Sequence, residues 1–170
     1  MLFSLKNSIL TKIFLVLLLS ACSSLKVEQD EFNSRLRVYQ YLNKNSELKG
    51  VVDYKNNITR IFLYTKFRNH SIVQQTPLIL SDGSKIEGKT SYEYDHNALF
   101  GNWINYSSFS VSRLTLEKML REEEHIYNKE HIKMKIGLEE LQINKAKIID
   151  FLSMVDATEK QHTHKYNKKI

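Results

Sequence analysis

Two short segments bring histidine and carboxylate side chains together, the residue types that bind divalent metals or exchange protons. Glu122, Glu123 and Glu124 precede His125, and Glu130 precedes His131. The two histidines are six positions apart, whereas a helical metalloprotease motif needs two histidines four apart with a glutamate beside the first. We therefore interpret this region as the solvated, charged end of a helix and predict no metal ligand in it.

A second set of residues has the types found in serine hydrolases. Asp95 and His96 are adjacent, and serines are frequent in residues 107–112. Such a site needs its members within hydrogen-bond distance of one another, and the Gly-x-Ser-x-Gly elbow that exposes many nucleophiles is not in the sequence. We predict no catalytic residue and no enzyme activity, and keep a hydrolase with a dispersed active site as an alternative.

Glycines and aromatic residues give two further indications. No two of the five glycines are closer than five positions, so no glycine-rich phosphate loop and no cofactor are predicted. Six aromatic residues are concentrated in one stretch: Tyr92, Tyr94, Phe100, Trp103, Tyr106 and Phe109. We expect them to form the core of a sheet, or, where exposed, a rigid contact surface for a partner or a glycan.

The first 21 residues have the three-part layout of an export signal. Lys6 and Lys12 lie in a polar start, residues 13–19 are all apolar, and Ser20 and Ala21 are small. Seven apolar residues rise only about 10 Å as a helix, whereas the hydrocarbon core of a bilayer is about 30 Å thick. The segment is therefore typical of a cleaved leader and short for a permanent membrane span.

The end of this leader, Leu19-Ser20-Ala21-Cys22, resembles the lipobox of bacterial lipoproteins. The resemblance implies acylation of the Cys22 sulfur, with chains such as palmitate, and cleavage just before Cys22. Secretion after cleavage by the ordinary signal peptidase and an uncleaved anchor are the alternatives. Because Ser23 is not the aspartate that favours inner-membrane retention in enteric-type lipoproteins, the resemblance favours an outer-membrane location in the cell envelope.

The charge of the chain is a weak indicator of its partners. Without the leader, 23 basic and 19 acidic residues give a net charge of +4. This modest surplus predicts no nucleic-acid partner, and phospholipid headgroups or anionic envelope polymers are the natural acidic neighbours of an exported protein.

The middle of the chain favours antiparallel strands. β-branched and aromatic residues dominate residues 51–67, where alternation places Ile61, Leu63, Thr65 and Phe67 on one buried face. Asp82-Gly83 between two strand-like runs, residues 77–81 and 84–87, predicts a hairpin. Strict alternation in residues 131–136, followed by residues 141–143, predicts a second hairpin.

Three segments carry helical spacing. Apolar residues at Phe32, Leu36, Tyr39 and Leu42 favour a first helix, although residues 35–41 also alternate like a strand. Residues 114–120 predict a second helix, capped by Ser112 or Thr115. Asn144 is a predicted N-cap for a third helix, whose apolar face consists of Ile148, Ile149, Phe151, Leu152 and Val155.

These patterns predict an α+β fold, an antiparallel sheet of five to seven strands with peripheral helices. A β-sandwich with added helices is the alternative. The predicted organisation is a signal peptide at residues 1–21, a lipidated tether at 22–30, one globular domain at 31–157 and a disordered basic tail at 158–170. His162 and His164 fall in that tail, where they are expected to bind metals only adventitiously.

The sequence therefore predicts an envelope lipoprotein, attached to the bilayer through Cys22, that acts as a non-catalytic binding or accessory module. Its partner would be an envelope protein or polymer. An immunity-type or inhibitor-type lipoprotein that blocks an exported enzyme is one alternative, and the hydrolase with a dispersed site is the other.

Overall fold

The computed structural model describes residues 24–30, 33–70, 72, 76–96, 102–122 and 130–167, with the backbone alone for 122 and 161–167. Six strands form a large sheet in the order β1-β2-β3-β4-β8-β7: β1 Leu25–Asp30, β2 Arg35–Asn43, β3 Ser46–Asp53, β4 Ile58–Asn69, β7 Gly88–Asp95 and β8 Asn102–Val111. Four form a small sheet in the order β10-β9-β5-β6: β5 Leu78–Ile79, β6 Lys85–Ile86, β9 His131–Ile136 and β10 Glu139–Asn144. Two helices complete the described elements: α1 Arg113–Glu122 and α2 Lys145–Asn167.

The predicted α+β class is confirmed in its broad form, because both sheets are antiparallel and two helices accompany them. The predicted number of strands was wrong. Among the described residues, ten strands in two sheets replace the expected five to seven in one sheet. The short strands β5 and β6 pair with each other and, through β5, with the distant β9, which local sequence patterns do not show.

The helix favoured around Phe32 to Leu42 was also wrong, since residues 35–43 form strand β2. The expected tether is shorter than predicted, because Leu25–Asp30 form β1 and pair in register with Gln40 to Arg35. With β1 on one side and β3 on the other, β2 satisfies its backbone groups in the sheet. The alternation of residues 35–41 therefore prevails over their helical spacing.

The large sheet has one buried face, which we call the inner face. The register aligns Val38, Gly50, Ile61 and Val111 across four strands, and side chains of this parity form the core with α1, α2 and the small sheet. The predicted burial of Ile61, Leu63 and Thr65 is confirmed, at 4, 1 and 3% exposure. Phe67, predicted on the same face, is only partly buried. Helix α2 lies close here, since a Cβ on Gly50 would meet Val155 at 3.1 Å and Phe151 at 3.3 Å.

Both predicted hairpins are present. Leu78 and Ile79 pair with Ile86 and Lys85 around the Asp82-Gly83 turn, in which Gly83 has a φ of 81°. In the second hairpin β9 pairs with β10, and Gly137 takes a φ of 57° at its turn. Glycine tolerates this left-handed conformation because it has no Cβ.

The helix caps also follow the sequence. Ser112 Oγ accepts a hydrogen bond from the Thr115 N–H at 3.0 Å, and Asn144 Oδ1 accepts one from the Ala146 N–H at 2.8 Å. The apolar face of α2 is buried at Ile148, Phe151, Leu152 and Val155, but Ile149 was assigned to it wrongly and is 51% exposed.

The expected disordered tail is contradicted up to Asn167, because α2 continues to that residue. Thr158 is only 4% exposed, and Thr59 Oγ1 donates a hydrogen bond of 2.5 Å to Glu159. Packing on the sheet thus orders the start of a polar segment that the composition alone assigns to solvent. Residues 168–170 lie outside the described part.

Within the described ranges, neither helix has an apolar stretch sufficient for a membrane crossing.

Candidate functional site

Several predicted site residues lie outside the part that the structure describes. These are the leader, the lipid attachment residue Cys22, Glu123, Glu124, His125 and Phe100. His131 lies exposed at the start of β9. Across the described ranges, no three His, Cys, Asp or Glu side chains come together in a way that could hold a metal ion.

The structure separates the members of the alternative hydrolytic site. In the pairing of β7 with β8, Asp95 lies opposite Asn102, whereas Ser107 lies opposite Thr90. Five residues at about 3.3 Å each place Asp95 about 17 Å from that serine, and the other serines of residues 107–112 are farther along β8. Asp95 instead forms an ion pair with Arg68 at 3.3 Å. These residues do not form one active site.

The aromatic stretch divides between core and surface. Phe109 is fully buried, whereas Tyr92 and Tyr94 are 56% and 40% exposed, so a core role for the whole stretch was wrong. The Trp103 ring contacts those of Tyr92 and Tyr94 edge to face, with centroids 5.8 and 5.1 Å apart. Tyr94 also contacts His96 at 4.9 Å. We call these four residues the aromatic ladder.

The opposite side of the large sheet, its outer face, is accessible. Its side chains on β1 to β4 and β7 are all partly or fully exposed. At one margin Arg35 pairs with Asp53 at 3.0 Å, and Arg37 pairs with Asp30 at 2.6 Å. Hydrogen bonds from Asn33 lower the pKa of Asp30, so that carboxylate stays ionised to a lower pH than an ordinary aspartate.

Tyrosines and lysines, and not ion pairs, occupy the centre of the outer face. Lys49 Nζ lies 5.2 Å from the Tyr39 ring centroid and 5.8 Å from that of Tyr64. Lys66 Nζ lies 5.4 Å from the Tyr106 ring centroid. Cation–π contacts of this kind hold the lysine stems along the sheet while the ammonium groups stay accessible.

A groove of about 420 Å³ opens at one end of this face. Two transverse rows of outer-face residues form it: Tyr41, Glu47, Tyr64, Ser108 and Lys89 lie in the first row, and Lys66, Tyr106 and Ser91 in the second. The turn between β2 and β3, with Asn43, Lys44 and Asn45, closes one side. We call this site the tyrosine–lysine groove.

The groove combines apolar walls with a surplus of positive charge. Tyr41, Tyr64 and Tyr106 supply the aromatic surface, and three lysines face a single carboxylate, that of Glu47, among its lining residues. The Tyr106 hydroxyl donates a hydrogen bond of 3.3 Å to Glu93, which lies outside the lining. Pockets of a few hundred Å³ with aromatic walls and a few polar groups are typical of small-ligand sites.

Sequence reasoning missed this groove because its residues come from five strands and one turn. Each strand contributes only one to three side chains, and the pairing of β4 with β8 brings Lys66 opposite Tyr106. The available signal was local. In residues 62–66 the outward positions of the alternating pattern are Phe62, Tyr64 and Lys66, which are unusually aromatic and basic for a solvent face.

Comparison of the chain with protein-family models, with curated proteins and with solved structures found no match.

Proposed function

We propose that this chain is an envelope lipoprotein, held at the outer membrane by acyl chains on Cys22, that acts as a non-catalytic binding module for an anionic ligand. The tyrosine–lysine groove is the binding site. The observation that carries this proposal is the composition of the groove, in which three tyrosines and three lysines line one cavity of about 420 Å³.

The chemistry of the groove selects a class of ligand. Ammonium groups are compact point charges that bind phosphate or carboxylate oxygens, and tyrosine rings bind the apolar face of an attached organic group. The backbone of a paired sheet gives these side chains a rigid base. A site that holds its ligand by stacking and by charge needs no reacting group, which supports a binding role.

The ligand class can be tested by thermal unfolding in the presence of simple probes. Inorganic phosphate, glycerol 3-phosphate and glucuronate are the anionic probes, and glucose is the neutral one. A ligand at a hundred times its Kd stabilises a protein by about 2.7 kcal/mol, so saturating anionic probes raise the Tm and glucose leaves it unchanged.

The matched variants are two pairs of Lys→Gln changes with the same loss of charge. Lys66→Gln with Lys89→Gln empties the groove of two cations and abolishes the rise in Tm. Lys55→Gln with Lys85→Gln changes exposed lysines away from the groove and retains the rise in Tm. Equal responses of the two double variants would refute the groove as the binding site.

The anchor is tested separately by intact-mass spectrometry of the protein from its native host. The expected mass is that of a chain beginning at Cys22 with added acyl groups. An unprocessed N-terminus, or a mature chain without acyl mass, would remove the lipoprotein part of the proposal.

A further inference from the structure

The chain enters the fold beside the tyrosine–lysine groove. The carbonyl of Ser24 accepts a hydrogen bond of 3.0 Å from the N–H of Tyr41, a residue that lines the groove. Gln40 Nε2 also donates to Ser24 Oγ at 2.5 Å. Only Ser23 separates Ser24 from Cys22 in the sequence, so an extended chain places their Cα atoms within about 8 Å. Any lipid on Cys22 therefore starts near the groove.

The far end of the large sheet projects in the same direction. β4, β7 and β8 continue past the turn between β2 and β3, to Asn69, Asp95 and Asn102. From the row of Tyr64 to that of Asn69 is five residues, or about 17 Å. The aromatic ladder lies on this projection, where the register puts Tyr92, Tyr94 and Trp103 on the inner-face side of the sheet and not on the side of the groove. Tryptophan and tyrosine are the residues enriched at membrane interfaces, so the end of the projection is suited to such a contact.

We propose that the groove opens onto the bilayer that carries the anchor and receives the anionic headgroup of a phospholipid, with the projecting end of the sheet resting at the interface. This inference rests on the proposed function and names its ligand. Ser24 lies beside Tyr41 at the edge of the groove, so a bilayer that holds an acyl chain on Cys22 lies close to the three lysines of the groove.

The charge of the groove suits the anionic headgroup of a lipid. Lys44, Lys66 and Lys89 are exposed and so can reach phosphates at a membrane surface. Lys147 reinforces the same region by donating hydrogen bonds of 3.1 and 2.7 Å to the carbonyls of Tyr41 and Leu42. These two bonds tie the start of α2 to the end of β2 that lines the groove.

Trp103 is the only tryptophan of the chain and reports on this contact. The lipidated protein is reconstituted in phosphatidylcholine vesicles with or without phosphatidylglycerol, both containing lipids brominated on the acyl chain near the headgroup. We expect phosphatidylglycerol to increase the quenching of Trp103 fluorescence and to shift its emission to shorter wavelength.

A second arm uses the full chain carrying Cys22→Ser, which has no thiol to acylate. Its partition onto phosphatidylglycerol vesicles is measured by co-sedimentation, and phosphatidylcholine vesicles give the baseline. Lys66→Gln and Lys89→Gln are each expected to lower the partition about fivefold, since one lysine near an anionic surface contributes about that factor. Lys55→Gln and Lys85→Gln, also made one at a time, each lose the same single charge and should change the partition little.

The outcomes separate this inference from the proposed function. If phosphatidylglycerol changes neither the quenching of Trp103 nor the partition onto vesicles, the headgroup site is overturned, even if soluble anionic probes still raise the Tm. Binding of free glucuronate or glycerol 3-phosphate with no preference for anionic vesicles would likewise assign the groove to a soluble ligand. Vesicle partition that depends on Lys66 and Lys89 supports the inference, including in a protein whose intact mass shows no acyl chain.

Discussion

Tyr54 shows how burial of one side chain sets a pH limit on stability. It follows β3 and packs partly buried against the core. Burial raises the pKa of Tyr54 to about 12, because the phenolate would lose its hydration. An unfolded tyrosine ionises near pH 10, so the folded state holds on to a proton that the unfolded state releases.

The sign of this linkage gives a prediction. A raised folded pKa contributes stability that is complete below about pH 10 and is lost as the pH rises toward about 12. Tyr54→Phe removes that loss because phenylalanine does not ionise. The free energy of unfolding of the variant should therefore rise relative to that of the native chain between about pH 9 and 11. Urea unfolding across this range measures the difference, and Tyr92→Phe, at a 56% exposed position, is the control. A gap between native chain and Tyr54→Phe that stays constant with pH would contradict this account.

For single residues, the sequence identifies those that are buried better than those that form the groove. Alternation places Ile61, Leu63 and Thr65 on the buried face of β4, because a strand with one apolar face has only one register that buries it. Tyr64 and Lys66, on the opposite face of that strand, become part of a site only through pairing with β3 and β8. The pairing with β3 joins Tyr64 to Glu47, 17 positions away, and the pairing with β8 joins Lys66 to Tyr106, 40 positions away. Neither pairing has a local signature in the sequence.

Among the elements, α2 depends on its cap and on its packing. Asn144 ends β10 and also caps the helix, since its Oδ1 accepts the Ala146 N–H at 2.8 Å. At the other side of the fold, Arg113 of α1 forms an ion pair with Asp156 of α2, and Thr59 of β4 donates to Glu159. These contacts fasten α2 to β4 and α1 well beyond its first turns.

Removal of the cap is therefore expected to weaken the whole domain. Asn144→Ala leaves the Ala146 N–H without its side-chain acceptor and should lower the free energy of unfolding by about 1 kcal/mol. Asn144→Ser keeps an acceptor oxygen and should cost only a few tenths of that. Denaturant unfolding followed by circular dichroism compares the two variants. Equal losses in both would show that Asn144 acts through something other than capping.

The elements that the sequence misassigned share a physical cause. β1 has just two apolar residues, Leu25 and Val27, and is an edge strand whose order comes from its backbone bonds to β2. The polar end of α2 is ordered by Thr158 and Glu159 against the sheet. In both cases tertiary contacts stabilise a segment whose own composition does not predict its structure, whereas Asn144, Ser112 and the Asp82-Gly83 hairpin are local and were predicted.

For the whole molecule, the closeness of β1 to Cys22 means that the length of the proposed tether would set how freely the domain turns at a membrane. A tether of about 30 Å, as the sequence suggested, would let the domain turn freely above a membrane. With β1 beginning at Leu25, the proposed anchor would hold the groove and the projecting end of the sheet close to the surface. Orientation would then follow from covalent geometry, with the lysines of the groove adding a dependence on lipid charge.

Lengthening the tether separates these two contributions. An insertion of about 20 Gly and Ser residues after Ser23 adds a flexible link of about 25 Å root-mean-square length and leaves the lipobox intact. In neutral vesicles the insertion should strongly reduce the quenching of Trp103 by brominated lipids, because only the short tether holds the domain there. In phosphatidylglycerol vesicles the groove still binds headgroups, so the reduction should be smaller. The same insertion in the turn at residues 55–57, at the opposite end of the sheet, is the control and should leave quenching unchanged. If the insertion after Ser23 affects neutral and anionic vesicles alike, the groove contributes nothing to the orientation of the domain.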